Sequence, residues 1–277
     1  MPELPEMQAL AERLDEILTG SHLERIVPIQ FSAAKTFDPS PDSLVGLEVA
    51  GVGRRAKYLV FDLGGPRLLI HLSQGGRVDV EYPPKATRPK AGVARFRFVD
   101  RPALLVKEFG TQRKAGWWVL AEGDDGPLEG LGPEPFSDDF EAALMGEKGK
   151  RRLHSYLRDQ RAVAGIGRGY ADEILHDARL SPYATVGSLL EEERWRLLSS
   201  IRSVLDKGLD LERKRTGGLP TKLSGRWTIH GAAGHPCPRC GADLRRVSFE
   251  NYEITYCPTC QTEGRVLADR RMSRLIK

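Results

Sequence analysis

The chain has 277 residues, of which 40% are apolar, and its formal net charge at pH 7 is +4. This length suits one large domain or two of ordinary size, and the apolar fraction is sufficient for hydrophobic cores. The sequence has neither the long apolar run of a transmembrane helix nor the basic and apolar N-terminal segments of a secretory signal. A cytoplasmic location is therefore expected.

The charge is unevenly distributed along the chain. Residues 211–277 contain 13 Lys and Arg against 6 Asp and Glu, so this segment carries +7 and the rest of the chain −3. A basic C-terminal segment indicates a polyanionic partner, although an ordinary solvated basic surface has the same pattern.

The N-terminal part changes from a helical to a strand pattern near residue 23. Residues 6–18 place apolar side chains on one helical stripe, and Pro5 and Glu6 suit the first turn of a helix. From about 23 to 120, short runs rich in Val, Leu and aromatic residues are separated by Gly, Pro and Asp. This spacing predicts a β-sandwich or a barrel.

A segment rich in Gly, Pro and acidic residues, 123–135, marks a domain boundary. Four segments with helical spacing follow it, and a Gly-rich basic stretch at 214–226 is expected to form an exposed loop. We therefore predict an N-terminal β-sandwich domain, a linker, a helical domain and a cysteine-containing domain over residues 1–122, 123–136, 137–226 and 227–277.

The four cysteines form the most specific motif of the sequence, C-x2-C-x16-C-x2-C. Each C-x2-C turn places two thiolates on one tetrahedral ion, and four sulfur ligands leave no open position for a reacting water. The residues between the pairs are typical of a β-hairpin that turns near Glu250 and Asn251. The spacing predicts a structural Zn²⁺ site, with a redox dithiol pair as the alternative. The ligands would be Cys237, Cys240, Cys257 and Cys260.

Three glycines at alternate positions, Gly165, Gly167 and Gly169, precede a predicted helix. Without side chains, their backbone N–H groups can approach an anion, and the helix N-terminus adds partial positive charge. The pattern is typical of a helix–turn–helix unit that binds a DNA phosphate. It is also typical of a plain tight turn between two helices.

The chain begins with MPELPE, so that Pro2 follows the initiator methionine. Removal of Met1, which is common before a small residue, would leave a secondary amine at Pro2. An α-amino group has a pKa of about 8, against about 10.4 for a lysine, so roughly a tenth or more is unprotonated near neutral pH. Such an amine can form an iminium with a sugar carbon, with Glu3 as a general acid or base. The alternative is that Pro2 merely begins a helix.

A further cation, Lys57, falls where a predicted turn enters a strand, next to Arg54 and Arg55. A long cationic side chain at this point can reach a phosphate or a leaving base. Taken in isolation, the sequence here favours an ordinary solvated basic turn.

Taken together and in order, these motifs resemble the bacterial formamidopyrimidine-DNA glycosylase / endonuclease VIII family of base-excision repair enzymes. The resemblance covers essentially the whole chain and rests on MPELPE, RRAKYL, LGPEPFSDDF, DQRAVAGIGRGYADEIL, IHGAAGHPCPRCG and YCPTCQ. It implies an α+β protein with an N-terminal helix and β-sandwich domain, a helix–two-turn–helix domain and a C-terminal zinc ribbon. It also implies damaged DNA as the partner, one structural Zn²⁺ ion, and a monomer associated with the nucleoid.

The family's mechanism implies that Pro2 attacks C1′ of a damaged nucleotide, that Glu3 transfers a proton at the sugar ring and that Lys57 contacts a nearby phosphate. Glu6 would orient the N-terminal helix. Because the iminium permits elimination, the implied activity combines a DNA glycosylase with an apurinic/apyrimidinic (AP) lyase. The residues implied in DNA binding are Gln74, Arg113, Gly167, Arg168, Tyr170 and Tyr252.

Several positions depart from the family's pattern. Arg168 stands in place of an asparagine, Tyr252 in place of the arginine of the zinc-ribbon hairpin, and His154 in place of a lysine. Gln74 replaces a methionine, and Ala115 replaces an aromatic side chain that helps to fill the space left by the extruded base. We therefore expect a divergent paralogue that acts on a different lesion or catalyses slowly. The alternatives are a non-catalytic DNA-damage-binding protein and a zinc-ribbon protein that binds RNA or protein.

Overall fold

The computed structural model describes residues 1–110, 112–221, 225–249 and 252–269. The chain is an α+β protein, as predicted. It divides into two compact units, Met1–Gly130 with Gly208–Leu223, and Leu131–Lys207 with Ser224–Lys277. In the described residues, no helix combines the length and the apolar character needed to cross a membrane.

The first unit begins with helix α1, Leu4–Leu18. It starts two residues before the predicted helix because Glu3 is the N-cap and Pro5 lies in the first turn, where its missing N–H costs no hydrogen bond. Met7, Leu10, Leu14 and Leu18 of the apolar stripe of α1 are buried in the hydrophobic core of this unit, and Ile17 packs against it partly buried.

Two four-stranded antiparallel sheets follow, which confirms the predicted β-sandwich. Both sheets contribute side chains to one core, in which the rings of Phe96 and Trp117 meet edge to face with their centroids 6.0 Å apart. The first sheet contains, in order, β1 (Leu23–Pro28), β6 (Gly92–Phe98), β7 (Ala103–Glu108) and β5 (Gly76–Glu81). The second contains β2 (Gly51–Arg55), β3 (Tyr58–Asp62), β4 (Arg67–His71) and β8 (Gly116–Leu120).

The segment Gly208–Leu223 also belongs to the first unit, although the sequence predicts it as part of the helical domain. Leu219 is buried in the core, and its N–H donates to the carbonyl of Val78 at 2.7 Å. The Arg13 guanidinium donates to the carbonyls of Glu212 and Gly217 at 3.0 and 2.9 Å. Part of the predicted loop at 214–226, residues 222–224, lies outside the described residues.

The second unit contains the predicted helices and the predicted hairpin. Helix α5 continues from this unit into the first. The predicted turn at Glu250 and Asn251 lies outside the described residues, and the predicted division of this unit into two domains stays a prediction. The elements are α2 (Asp138–Gly146), α3 (Leu153–Arg158), α4 (Arg168–Asp177), α5 (Glu191–Arg213), β9 (Arg245–Phe249), β10 (Tyr252–Tyr256) and α6 (Pro258–Thr262).

Helix α4 organises this second unit. The Glu173 carboxylate accepts hydrogen bonds from three consecutive backbone N–H groups, at residues 228–230, at 2.8–3.0 Å. The neighbouring Trp227 packs edge to face on Tyr170, with ring centroids 4.8 Å apart. A side chain at Gly169 would lie only 2.3 Å from the Trp227 ring. A glycine is therefore required for this approach of the indole to α4.

We predict that Gly169→Ala lowers the free energy of unfolding by about 1–3 kcal/mol, because the added methyl group forces the indole or the helix to move. The measurement is urea denaturation of the full chain, followed by circular dichroism. Gly146→Ala is the matched control, since it also lies in a helix of this unit and nothing is within 4 Å of its added Cβ. The control should be unchanged or more stable by up to about 1 kcal/mol. Equal stability of the two variants would contradict the packing requirement.

Candidate active site and zinc centre

The amino terminus is held by a reciprocal capping box. The Glu3 backbone N–H donates to the Glu6 carboxylate at 2.7 Å, and the Glu3 carboxylate accepts from the backbone N–H of Glu6. Both glutamates are buried, as is Pro2 immediately before the N-cap. The position of Pro2 is therefore determined by the first turn of α1.

Lys57 lies in the two-residue turn that joins β2 to β3, where Ala56 has a left-handed backbone (φ 51°). Its side chain is only 6% exposed, so the turn is not the ordinary solvated one that the sequence also allowed. Arg54 joins this turn to α1, since its guanidinium donates to the Gln8 side chain at 2.9 Å and to the Ala56 carbonyl at 3.3 Å. Arg54 thus connects α1, which begins two residues after Pro2, to the turn that contains Lys57.

His71 is a half-buried group that the sequence did not single out. It pairs with Tyr58 across β3 and β4, and the two rings lie 4.6 Å apart. Burial and, as the smaller cause, the positive charge of Lys57 together lower the pKa of His71 to about 4. His71 is therefore neutral at physiological pH. Its only sequence signal is a histidine at the end of an apolar strand.

The two loops expected to face the extruded base differ in what they expose. Gln74 and Arg113 are exposed, as required for contact with DNA. Ala115 is 1% exposed and belongs to the core, whereas Phe109, only a few residues before it, is 51% exposed. Phe109 and Gln74 line the same cavity of about 200 Å³. Position 115 thus provides no aromatic side chain, whereas Phe109 provides an exposed one nearby in the sequence. The sequence did not single out Phe109 as a residue of this surface.

In the second unit, the Gly-rich turn ends on the N-cap of α4, Gly167. The Gln160 side chain closes the turn by bonding the N–H of Gly165 at 2.9 Å and the carbonyl of Ile166 at 2.7 Å. Arg168 is exposed at the first position of the helix, whereas Tyr170 is buried against the indole ring described above. The turn has the features of an anion site with an additional cation.

His154 does not present a cation at the surface, as the lysine expected there would. It is 1% exposed, and its Nε2 lies 3.1 Å from an oxygen of the buried Asp172. Burial lowers the pKa of His154, against the smaller opposing effect of the Asp172 carboxylate. Asp172 also contacts Nδ1 of His230 at 2.6 Å. The Asp172 carboxylate thus joins α3, through His154, to the segment that contains His230.

The four cysteine sulfur atoms converge within 4.8 Å of one another. A tetrahedral ZnS₄ centre has sulfur atoms about 3.8 Å apart, as follows from a Zn–S distance of about 2.3 Å. The pairs Cys237–Cys260 and Cys240–Cys257 lie at 4.0 and 3.5 Å, so the donor set fits Zn²⁺. Burial raises the pKa of the Cys257 thiol to about 12, so a thiolate there depends on a bound cation.

The zinc ligands are tied to α4. Nε2 of His176 lies 3.2 Å from the Cys237 sulfur, and the Arg239 guanidinium donates to the His176 carbonyl at 2.7 Å. The backbone N–H of Ala242 lowers the pKa of Cys240 to about 7. Because these contacts join the helix to the cysteine-containing loop, the ion supports the same unit that carries the Gly-rich turn.

Three family models match the chain. Residues 1–118 match the formamidopyrimidine-DNA glycosylase N-terminal domain, and residues 131–218 match the formamidopyrimidine-DNA glycosylase H2TH domain. Residues 234–262 match the zinc finger found in FPG and IleRS. Together with the cysteine geometry, this last match confirms one structural zinc ion, held by the four cysteines.

Similar proteins match this chain over nearly its whole length and theirs. The formamidopyrimidine-DNA glycosylase of Thermus thermophilus is 34% identical over 95% of this chain and all of its own length, and that of Heliobacterium modesticaldum is 36% identical over 94% and all of its own. A crystal structure of the Lactococcus lactis enzyme, bound non-covalently to DNA containing an AP site, has a TM-score of 0.83 at 27% identity and covers 94% of this chain and 99% of its own. The chain belongs to the formamidopyrimidine-DNA glycosylase family, a family of DNA glycosylases.

We predict that His71 makes the fold sensitive to mild acid. Between about pH 6.5 and pH 4 the unfolded chain takes up a proton at this site that the folded chain does not, so the folded state loses stability as the pH falls through this window. The loss relative to His71→Gln should reach at most about 3 kcal/mol at pH 4 and be absent above pH 7. Urea denaturation of both proteins across this pH range measures it.

Direct titration of the His71 ring by NMR provides the second measurement. Lys57→Met should raise the pKa of His71 but leave it below the ordinary value of 6.5, because burial is the larger cause. A His71 that titrates near 6.5 in the wild-type protein would contradict the assignment.

Proposed function

We propose that this protein is a bifunctional DNA glycosylase and AP lyase whose nucleophile is the amine of Pro2, freed by removal of Met1. The observation that carries the proposal is the capping box of Glu3 and Glu6, which holds the chain terminus in one position. A reacting amine must approach its target carbon in a defined geometry, and a frayed terminus would lose that advantage. The first residues of most domains are poorly ordered unless contacts hold them, as the capping box does here.

The proposed reaction has two stages. The Pro2 nitrogen forms a bond to C1′ of the damaged nucleotide and loses its proton, and the C1′–base bond breaks with its electron pair leaving on the base, which takes up a proton. Glu3 delivers a proton to the sugar ring oxygen, so that the ring opens and an iminium forms. Loss of a proton from C2′ then expels the 3′-phosphate and breaks the strand. Lys57 contacts a phosphate beside the reacting sugar.

Damaged DNA is the proposed partner. The Lactococcus enzyme has been crystallised with DNA containing an AP site and, as variants, with DNA containing Fapy-dG, which supports the same class of substrate here. In the second unit, the α4 N-terminus and the exposed Arg168 offer a phosphate site. We propose that the chain acts as a monomer at the nucleoid, where its proposed DNA substrate lies.

We predict that the mature protein forms a covalent adduct with AP-site DNA under borohydride, and that mass spectrometry maps it to the N-terminal peptide. Pro2→Gly should reduce the rate of adduct formation at least about 100-fold, because the secondary amine is replaced and the terminus is loosened. Pro5→Ala is the matched control, since it removes a first-turn proline but keeps the terminal amine.

Three results would count against the proposal. An adduct mapped to a lysine, or an undiminished adduct in Pro2→Gly, would exclude Pro2 as the nucleophile. Tight binding to AP-site DNA with no adduct and no strand cleavage would favour the non-catalytic alternative. A panel of duplexes with oxidised purines, oxidised pyrimidines and AP sites identifies the excised base in the same assay.

We further propose that Gln74 and Phe109 fill the space left by the extruded base. Both are exposed and line one cavity, whereas Ala115 is committed to the core. The ammonium of Lys107 lies 5.4 Å from the centre of the Phe109 ring. An exposed aromatic face can stack on an unpaired base, and each such contact is worth about 1–3 kcal/mol.

We predict that Phe109→Ala weakens binding to a duplex with a tetrahydrofuran AP-site analogue by roughly 5- to 160-fold, as that stacking energy requires. Fluorescence anisotropy measures the dissociation constant. Phe37→Ala is the matched control, because Phe37 is also an exposed phenylalanine of the first unit. If both variants bind alike, Phe109 does not stack on DNA.

A further inference from the structure

The described end of the zinc-ribbon hairpin carries an aromatic residue that contacts α3. Tyr252 is the first residue of β10 and pairs with position 249 of β9. Its ring centre lies 3.6 Å from the guanidinium carbon of Arg158 and 5.5 Å from the ring centre of His154. Its hydroxyl lies 3.2 Å from Oγ of Ser155. The tyrosine is therefore a fixed platform for side chains of α3.

Arg158 is the charged member of this cluster. Its guanidinium is partly exposed at the last residue of α3, and in the described part of the chain no carboxylate forms an ion pair with it. His154 adds no positive charge, because burial lowers its pKa. The distance of 3.6 Å is a stacking contact, which occupies a face of the guanidinium. The N–H groups in the plane of the guanidinium stay available to a phosphate.

The backbone at Arg158 is joined to the Gly-rich turn. Nε2 of Gln160 donates to the Arg158 carbonyl at 3.0 Å and to the Ile166 carbonyl at 2.7 Å. Because one nitrogen bonds both carbonyls, the end of α3 and the segment that leads into α4 lie side by side. Arg158 is thus close in the fold to the proposed phosphate site at Gly167 and Arg168.

The hairpin's own arginines are less well placed. Arg246 pairs with Glu253 at 3.4 Å, and Arg245 lies opposite Tyr256. Along β9, Arg246 and Arg245 are three and four residues from position 249, which pairs with Tyr252. At the usual rise per residue, this separation is roughly 10–14 Å. Neither can supply a cation at the end of the hairpin without leaving the sheet.

We infer that Arg158 is a DNA-phosphate ligand of this protein and that Tyr252 is a positioning residue that orients the Arg158 guanidinium by stacking. The inference rests on the proposed DNA-binding function. It accounts for a hairpin with tyrosine in place of arginine, because the cation comes from α3 and the ring holds it. The bound group is a phosphate diester of the DNA backbone, so the contact is independent of base sequence.

The test measures the dissociation constant of the full-length zinc-loaded protein for a tetrahydrofuran-containing duplex between 50 and 200 mM salt. Arg158→Ala should weaken binding roughly tenfold at 100 mM salt and reduce the magnitude of the log–log salt slope by about 0.9, the value for one phosphate contact. Arg158→Lys keeps the charge but not the planar stack, so the slope should be retained while the affinity falls. Tyr252→Leu should weaken binding in wild-type protein but not further in Arg158→Ala.

A role of Arg158 in packing alone would change stability without changing the salt slope. Arg245→Ala removes an exposed cation from the same hairpin and should leave the slope unchanged. An unaltered slope in Arg158→Ala, or a slope that falls only in Arg245→Ala, overturns the inference. If the wild-type protein shows no salt-dependent binding to any DNA, the proposed function fails instead. The two failures are therefore distinguishable.

Discussion

The hydrogen bond from the Glu3 N–H to the Glu6 carboxylate is the constraint on which the first unit's chemistry depends. It replaces the hydrogen bond that the first N–H groups of any helix lack, and it does so with a fully buried carboxylate. Arg54 then ties α1 to the turn at Lys57. The chain terminus and a buried cation are thus held by the same few contacts, which is an arrangement suited to an amine nucleophile.

The second unit depends in the same way on α4. Three of its side chains, Asp172, Glu173 and His176, each bind a different part of the zinc-containing region. One short helix therefore positions the Gly-rich turn at its N-terminus and the metal centre through its side chains. The four cysteine ligands leave the zinc ion no open coordination position, so its role is structural.

In the proposed DNA-binding surfaces, two departures from the family's pattern each have a side chain of similar chemistry nearby. The aromatic side chain absent at 115 is matched by an exposed phenylalanine at 109 that lines the cavity beside Gln74. The arginine absent at 252 is matched by Arg158, stacked on the tyrosine that replaced it. In both cases the proposed contact comes from a different backbone position. The proposal is therefore that this member of the family contacts DNA through side chains at other positions.

The sequence alone determined the features that depend on local spacing. These are the zinc ligands, the helix at the terminus, the sandwich strands and the Gly-rich turn, because each follows from residues a few positions apart. Only the tertiary structure decided that Lys57 is buried, that Ala115 belongs to the core and that Arg158 stacks on Tyr252. These properties depend on contacts between residues far apart in the chain. Periodicity and composition carry no information about which distant side chains meet.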